Sequence, residues 1–344
     1  MAQEASMAGK KILVLSPLPQ VLVKALFDAK ISQSAHAPEI EIETYEGSSR
    51  SDLLEAVAGA DVIIGDYTFN TEMDAELMEA AAPCLLIQQP SVGYQHIDVD
   101  AAARAGIPVA NVAGANSIGV AEHTIMCALM LLKKLMMQHE KTKAGEWAQD
   151  EMATHGVFEL YGKTLGIIGM GRIGQEVARR AKAFGCGMVY YDINELSPEK
   201  EAEYGVQSRT LDALLAEADV VTLHAPLTPE TEGMLGAERL AMMKPGAVLV
   251  NVARGGLVDE QALADALSEG RLAGAAIDVF SVEPVSADNP LLGAPNTILT
   301  PHTAGATNES RLRIIGVAMD NVAGVLEGTV PQFILNGVAP RFEE

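Results

Sequence analysis

Short β-branched runs alternate with longer amphipathic stretches along almost the whole chain, and that alternation predicts an α/β fold with parallel sheets. In the first third the strand runs are Lys11–Leu15, Ile40–Thr44, Asp61–Ile64, Leu85–Gln88 and Pro108–Asn111, with helical stretches such as Asp52–Ala58 and Met73–Ala81 between them. A second series comprises Thr164–Ile168, Gly187–Tyr191, Asp219–Leu223, Ala247–Asn251, Gly274–Asp278 and Thr297–Leu299. Two series predict two sheets.

Two long helices flank the second series. One begins near Ser117, a candidate N-cap, runs to about Met137, and places Ile118, Ala121, Ile125, Ala128, Leu132 and Leu135 at steps of three or four. The other covers about Glu309 to Glu327, with Leu312, Ile315, Met319, Val322 and Leu326 on one stripe and Gly328 placed to end it. These helices could carry the chain from one sheet to the other and back. On that reading one domain is discontinuous, 1–116 plus 306–344, and the other spans 117–305; a plain division into halves fits the pattern too. A length of 344 residues agrees with two cores rather than one.

Composition narrows the function. With 49% hydrophobic and 20% charged residues the chain is not largely disordered. Its net charge of −22 repels phosphate backbones and anionic lipid, so nucleic acid and membrane surfaces are not the expected partners. Cys84, Cys127 and Cys186 fit neither a disulfide framework nor a metal-ligand spacing, which predicts a reducing compartment and no metal. The N-terminus lacks the apolar stretch of a signal peptide, and the longest apolar run, Ile125–Leu132, is too short to span a bilayer. The expected location is the cytoplasm.

The clearest motif is Gly169-Met170-Gly171-Arg172-Ile173-Gly174, which follows the strand Thr164–Ile168 and opens a helix to Phe184. Glycines at these positions allow a tight turn, close approach of a pyrophosphate and close helix–strand packing, and the helix N-terminus offers free N–H groups. The next strand ends in Asp192, 18 residues after Gly174, where an acid can bind ribose hydroxyls and repel a 2′-phosphate. The pattern predicts NAD rather than NADP. With this motif the expected fold is α/β, two Rossmann-like doubly wound parallel-sheet domains with a cleft between them.

Three residues that can do chemistry follow three successive strands. Arg254 lies in VNVARGG, Glu283 in DVFSVEP and His302 in LTPHTAG. An arginine fork suits a carboxylate or carbonyl, and a histidine with a carboxylate partner suits proton transfer. Each of the three could also be an ordinary surface group.

The phrases LYGKTLGIIGMGRIG, ADVVTLHAPLTPETEGML, MMKPGAVLVNVARGGLVDE, GAAIDVFSVEP and TPHTAGAT resemble the D-isomer-specific 2-hydroxyacid dehydrogenase family, as does SVGYQHIDVDAAARAGIPVANVAGANSIGVAEHT nearer the N-terminus. The resemblance covers nearly all the chain after about residue 60. It implies a catalytic set of Arg254, Glu283 and His302. Arg254 would bind the substrate's carboxylate and carbonyl oxygen, His302 would act as acid and base, and Glu283 would be its partner. The implied cofactor is NAD, contacted by Gly169, Gly171, Arg172, Ile173, Gly174 and Asp192, by Val252, Ala253 and Asp278 on the nicotinamide side, by His224 and Pro226 along the wall, and by Gly305. The N–H groups of Val92 and Gly93 would bind the substrate carboxylate. Gly93 as a simple turn residue and Asp278 as a cap for the segment after it remain open.

The resemblance implies an NAD-dependent D-2-hydroxyacid dehydrogenase, and three local features bear on its substrate. The loop Gly65–Asn70 has no Lys or Arg and contains Asp66, which argues against 3-phosphoglycerate. The expectation of no long C-terminal regulatory domain points the same way. Glu283, rather than a glutamine, argues against formate oxidation. A small unphosphorylated acid such as glyoxylate, hydroxypyruvate or pyruvate is expected, with Tyr67, Phe69 and Tyr94 as pocket or core aromatics. The alternative implied by relatives is an NAD(H)-responsive corepressor-like binding protein with little turnover; an unrelated NAD-using hydrolase would leave VARGG and PHTAG unexplained. Met126, Met130, Met136 and Met137 widen the apolar face of the helix from Ser117, in keeping with the family's homodimer.

Overall fold

In the computed structural model, which describes residues 9–17, 19–31, 40–82 and 84–342, the apolar runs form two all-parallel sheets. The segment MAQEASMA, read above for a signal peptide, lies outside the described residues. The chain divides into two compact units, one made of residues up to Asn116 together with Asn308 onward, the other of Ser117–Thr307.

The first unit holds β1 (Lys10–Val14), β2 (Ile40–Thr44), β3 (Val62–Ile64), β4 (Leu86–Gln88) and β5 (Val109–Ala110), ordered β2-β1-β3-β4-β5. Alternate residues feed opposite cores. Ile12, Val14, Val62 and Ile64 meet Val23, Phe27, Met319 and Val322, whereas Leu13, Ile63 and Ile87 meet Leu53, Leu77 and Ala102. Helices on both faces explain why the inner strands β1, β3 and β4 read as largely apolar runs, whereas the edge strand β2, IEIET, alternates.

The second unit holds β6 (Thr164–Ile168), β7 (Gly187–Tyr191), β8 (Gln207–Ser208), β9 (Val220–Leu223), β10 (Val248–Asn251), β11 (Gly274–Ile277) and β12 (Thr297–Leu299). Their order is β12-β11-β10-β9-β6-β7-β8, so the winding reverses between β6 and β9. Open sheets of this kind bind ligands beyond the strand C-termini at such a reversal. Both faces are again covered, by Val120, Ala121, Ile125 and Ala128 on one side and Leu214, Leu240 and Leu263 on the other.

Two local expectations need correction. The helix from Ser117 stops at Lys133, because Lys134 adopts φ +51°, and Leu135 starts a separate helix, Leu135–Lys143, with no buried residue. The apolar spacing continues across this break, which is why it was not visible in the pattern. Ser117 is the first helical residue rather than a cap, and its buried hydroxyl has no hydrogen-bond partner. The edge strand β8 was not anticipated; two polar residues leave no period to detect, and a short polar edge resists pairing with other chains.

Candidate active site

The site is assembled from the C-terminal ends of β6, β9, β10, β11 and β12 in the second unit. After β10 the chain turns through Val252 and Ala253, both buried, to Arg254, which is half-buried. Asn251 pins this turn, accepting from the Ala253 N–H at 3.1 Å and donating to the Arg254 carbonyl at 3.0 Å. Arg254 itself donates to the Ala253 carbonyl at 2.6 Å. Burial lowers its pKa from the ordinary value and the Glu283 charge opposes that; the guanidinium stays protonated.

Gly255 brings the turn against the loop after β11. A Cβ there would stand 1.9 Å from the Phe280 carbonyl carbon and 2.2 Å from the Ser281 nitrogen, so only glycine permits this approach. That loop carries Glu283, whose Oε1 accepts from the Phe280 N–H at 3.0 Å. Glu260, the first residue of the helix Glu260–Ser268 that precedes β11, braces the loop by accepting from the Ser281 N–H at 2.8 Å and Asn289 Nδ2 at 2.7 Å.

Glu283 Oε2 lies 2.7 Å from His302 Nδ1. The two residues are 19 apart in sequence and follow different strands, so the fold itself makes the pair. With Nδ1 held, Nε2 is left to exchange a proton, and the His302 side chain is 44% exposed. His302 also has φ +54°, uncommon for a residue with a Cβ.

Asp278 holds that conformation. It is 1% exposed, and its carboxylate accepts from the Thr300 hydroxyl at 2.5 Å and from the Thr303 and Ala304 N–H groups at 2.9 and 2.8 Å. Its backbone carbonyl accepts from the His302 N–H at 2.7 Å. Asp278 therefore fastens the segment on both sides of His302. His123 stands behind it, with Nε2 3.5 Å from Thr300 Oγ1 and a pKa that burial lowers against the opposing Asp278 charge.

Gly169–Gly174 lie where the winding reverses. A Cβ on Gly174 would stand 2.2 Å from the Gly169 carbonyl oxygen, whereas one on Gly171 would meet nothing within 4 Å. The loop is tight against the helix behind it and open in front. The helix Arg172–Ala181 opens directly from this loop, and the N–H groups of Ile173 and Gly174 in its first turn have no intrahelical carbonyl to bond. Asp192 closes the loop, with Oδ2 accepting from the Met170 N–H at 2.6 Å and Oδ1 from Asn194 N–H at 2.8 Å. Across the reversal His224 donates its backbone N–H to Ile168 at 2.7 Å. Both of its ring nitrogens are buried and unpaired, and burial pushes its pKa down to about 3, so the ring is neutral. An orphaned imidazole beside an open glycine loop is what a dinucleotide site would use. Pro226 is exposed on the following turn, and Gly305 ends the loop that starts at Thr300.

In the first unit Val92 and Gly93 follow β4. Their N–H groups make no hydrogen bond to any described residue, while the Val92 and Gly93 carbonyls are both occupied. Tyr67 and Tyr94 are exposed, whereas Phe69 packs against His96 with ring centroids 4.9 Å apart and the planes tilted by 57°. Burial pushes the Cys84 and Cys127 thiols up to about 12, which favours the protonated form. Among the described residues no group of His, Cys, Asp and Glu could hold a metal, and no helix is long and apolar enough to cross a membrane.

Sequence reasoning passed over Asn251, Glu260, Thr300 and His123. Asn251 carried a usable signal, an amide ending an otherwise apolar strand; the others have none beyond their type.

Residues 125–304 match the family model described as D-isomer specific 2-hydroxyacid dehydrogenase, NAD binding domain. The chain is 40% identical over 328 residues to D-3-phosphoglycerate dehydrogenase of Methanocaldococcus jannaschii, covering 95% of this chain and 59% of that protein. It is 39% identical to glyoxylate reductase of Korarchaeum cryptofilum, covering 84% of this chain and 86% of that one. Among solved structures, a glyoxylate reductase from Paecilomyes thermophila superposes with a TM-score of 0.81 at 31% identity, covering 95% of this chain and 97% of the other. The chain thus spans little more than half the length of its phosphoglycerate-dehydrogenase relatives and most of the length of the glyoxylate reductases.

Proposed function

We propose a reaction from one premise, that the chain belongs to the D-isomer-specific 2-hydroxyacid dehydrogenase family. The protein reduces a small unphosphorylated 2-oxo acid, or oxidises the matching 2-hydroxy acid, with NAD(H). The observation that carries this reading is the His302–Glu283 pair at 2.7 Å, on a loop packed by Gly255 against the Arg254 turn.

The roles follow from the chemistry of the groups. A nicotinamide cofactor would supply the hydride for substrate C2 when bound. Gly171, the first turn of the helix from Arg172, Asp192 and His224 would hold the cofactor, together with Pro226, Val252, Ala253, Asp278 and Gly305. Arg254 polarises the substrate carbonyl and binds its carboxylate as a planar fork. The N–H groups of Val92 and Gly93 take the carboxylate without adding a second buried charge. His302 Nε2 donates a proton to the carbonyl oxygen in reduction and removes it in oxidation, while Glu283 stabilises the protonated ring.

Asp66 supports an unphosphorylated substrate. It is 2% exposed and accepts from the N–H and hydroxyl groups of both Thr68 and Thr71. Burial works to raise its pKa, but these four bonds outweigh it and the net direction is down, so the carboxylate is charged. A phosphate beside this loop would meet a fixed negative charge rather than a cation.

The test follows NADH absorbance with glyoxylate, hydroxypyruvate, pyruvate, phenylpyruvate and phosphohydroxypyruvate, with NADPH as control cofactor. Efficient NADH-dependent reduction of an unphosphorylated member is expected. Preference for phosphohydroxypyruvate would overturn the substrate class, and NADH binding without any turnover would overturn the enzyme reading in favour of a cofactor sensor.

A homodimer belongs to the same reading. A groove of about 610 Å³ on the second unit is lined by Ile125, Met126, Leu129, Met130, Leu135 and Phe184. Beyond it the helix Leu135–Lys143 buries no residue, and Trp147 and Tyr161 are exposed. Apolar surface that is concave in one place and projecting in another suits a second copy of the chain. Met126→Asp is expected to halve the mass measured by light scattering and to spare NADH binding; an unchanged dimer would remove the groove from the interface.

A further inference from the structure

The first unit contains a hydrogen-bonded path that the roles above leave unused. It begins at Gln89, just past β4, which is fully buried. Gln89 Nε2 donates to the Asp66 carbonyl at 3.2 Å and to Ser91 Oγ at 2.7 Å. The Ser91 hydroxyl donates onward to the Gly93 carbonyl at 2.8 Å. Alongside, Asn111 Nδ2 donates to the Val92 carbonyl at 2.8 Å and the Val112 N–H approaches the Ser91 carbonyl at 3.5 Å.

Three successive peptide carbonyls, of Ser91, Val92 and Gly93, are therefore held from the protein side. A trans peptide is planar, with its N–H directed opposite to its C=O. Fixing those carbonyls aims the N–H groups of Val92, Gly93 and Tyr94 the other way. None of the three bonds to a described residue. Runs of free backbone N–H groups are an established way of binding an anion.

Packing alone does not account for a glutamine at position 89. Its Oε1 is buried without a partner, and a leucine would fill similar space with no orphaned acceptor. The fit is also close, since a Cβ on Gly65 would stand 2.3 Å from Oε1. What the amide supplies is two donors, one to the loop Asp66–Thr71 and one to the segment that presents the free N–H groups. The loop is a firm anchor because the Asp66 carboxylate ties it to Thr68 and Thr71.

We propose that Gln89 and Ser91 are positioning residues for the substrate carboxylate, holding the Val92, Gly93 and Tyr94 N–H groups in place and fastening them to the Asp66–Thr71 loop. Tyr94 N–H is thereby a third donor of that anion site. The proposal rests on the reading that this segment binds the carboxylate of a 2-oxo acid.

Ser91→Thr and Ser91→Val are nearly the same shape and differ in the hydroxyl, so their comparison isolates the path. Oxamate, which carries the carboxylate and carbonyl of a 2-oxo acid but is not reduced, measures binding by calorimetry on the NADH complex. Ser91→Val and Gln89→Leu are expected to raise KM for the 2-oxo acid and Kd for oxamate about tenfold, the scale of one lost buried hydrogen bond. In both, kcat and NADH affinity should stay near native. Ser91→Thr should behave as the native protein, and Gly65→Ala, by crowding Oε1, should repeat the Gln89→Leu result. Equal KM and oxamate Kd in Ser91→Val and Ser91→Thr would overturn the proposal while leaving the reaction intact, and so would a loss of kcat at unchanged KM. If the native NADH complex neither reduces a 2-oxo acid nor binds oxamate, the carboxylate reading and this proposal fall together.

Discussion

Replacing His302 by alanine is expected to lower turnover by about a hundredfold or more, with NADH affinity close to native. Its Nδ1 is engaged by Glu283 at 2.7 Å, so the ring has one nitrogen left for a substrate oxygen and no other described side chain pairs with Glu283 Oε2. The backbone is not at stake. Its φ of +54° is held by bonds that do not involve the imidazole, those of the Asp278 carboxylate to Thr300, Thr303 and Ala304 and those of the Asp278 and Thr300 carbonyls, which accept the His302 N–H at 2.7 and 3.1 Å. Asparagine tolerates that region of φ better than most residues, so His302→Asn keeps the loop conformation and removes only the acid. Both variants should fail alike in steady-state reduction and bind NADH alike by fluorescence titration. Native turnover in His302→Asn would take His302 out of the mechanism.

The strands were legible because helices cover both faces of each sheet, so β1, β3, β6, β9 and β10 read as largely apolar runs, with Lys10 and Lys11 opening β1, Thr164 opening β6, Thr222 inside β9 and Asn251 ending β10. What escaped the sequence was set by tertiary contact or by single backbone torsions. Lys134 at φ +51° ends a helix whose apolar stripe runs on through Leu135, and a lysine gives no local sign of that conformation. Ser117 has the residue type of a cap, yet it sits inside the helix with its hydroxyl buried and unpaired. At the site, the glycine motif and Asp192 could be found by spacing, since a βαβ unit is local. The 2.7 Å approach of Glu283 to His302 could not, since it joins loops after two different strands, a tertiary contact that spacing does not encode. Asp278 has a second role that the motif does not carry: three donors from the His302 segment point at its carboxylate.

That geometry makes Asp278→Asn the substitution with the widest expected effect. An ionised carboxylate only accepts hydrogen bonds, and here Oδ1 takes the Thr300 hydroxyl and the Thr303 N–H while Oδ2 takes the Ala304 N–H. An asparagine must place an NH2 group where one of those oxygens stands, facing a donor that cannot turn away, since two of the three are backbone N–H groups. At 1% exposure water does not make up the loss. Leaving buried donors unpaired after removing a charged acceptor costs on the order of 2–3 kcal/mol or more, so the melting temperature should fall clearly. Turnover should fall by about a hundredfold as well, because a displacement near 1 Å of a catalytic group is enough for that. His302→Asn thus loses activity with its melting temperature kept, and Asp278→Asn loses both. If Asp278→Asn melts like the native protein, its carboxylate is not what holds the segment. If it melts lower yet turns over normally, the positive φ of His302 is maintained by other contacts, of which the Asp278 and Thr300 backbone carbonyls are the remaining candidates.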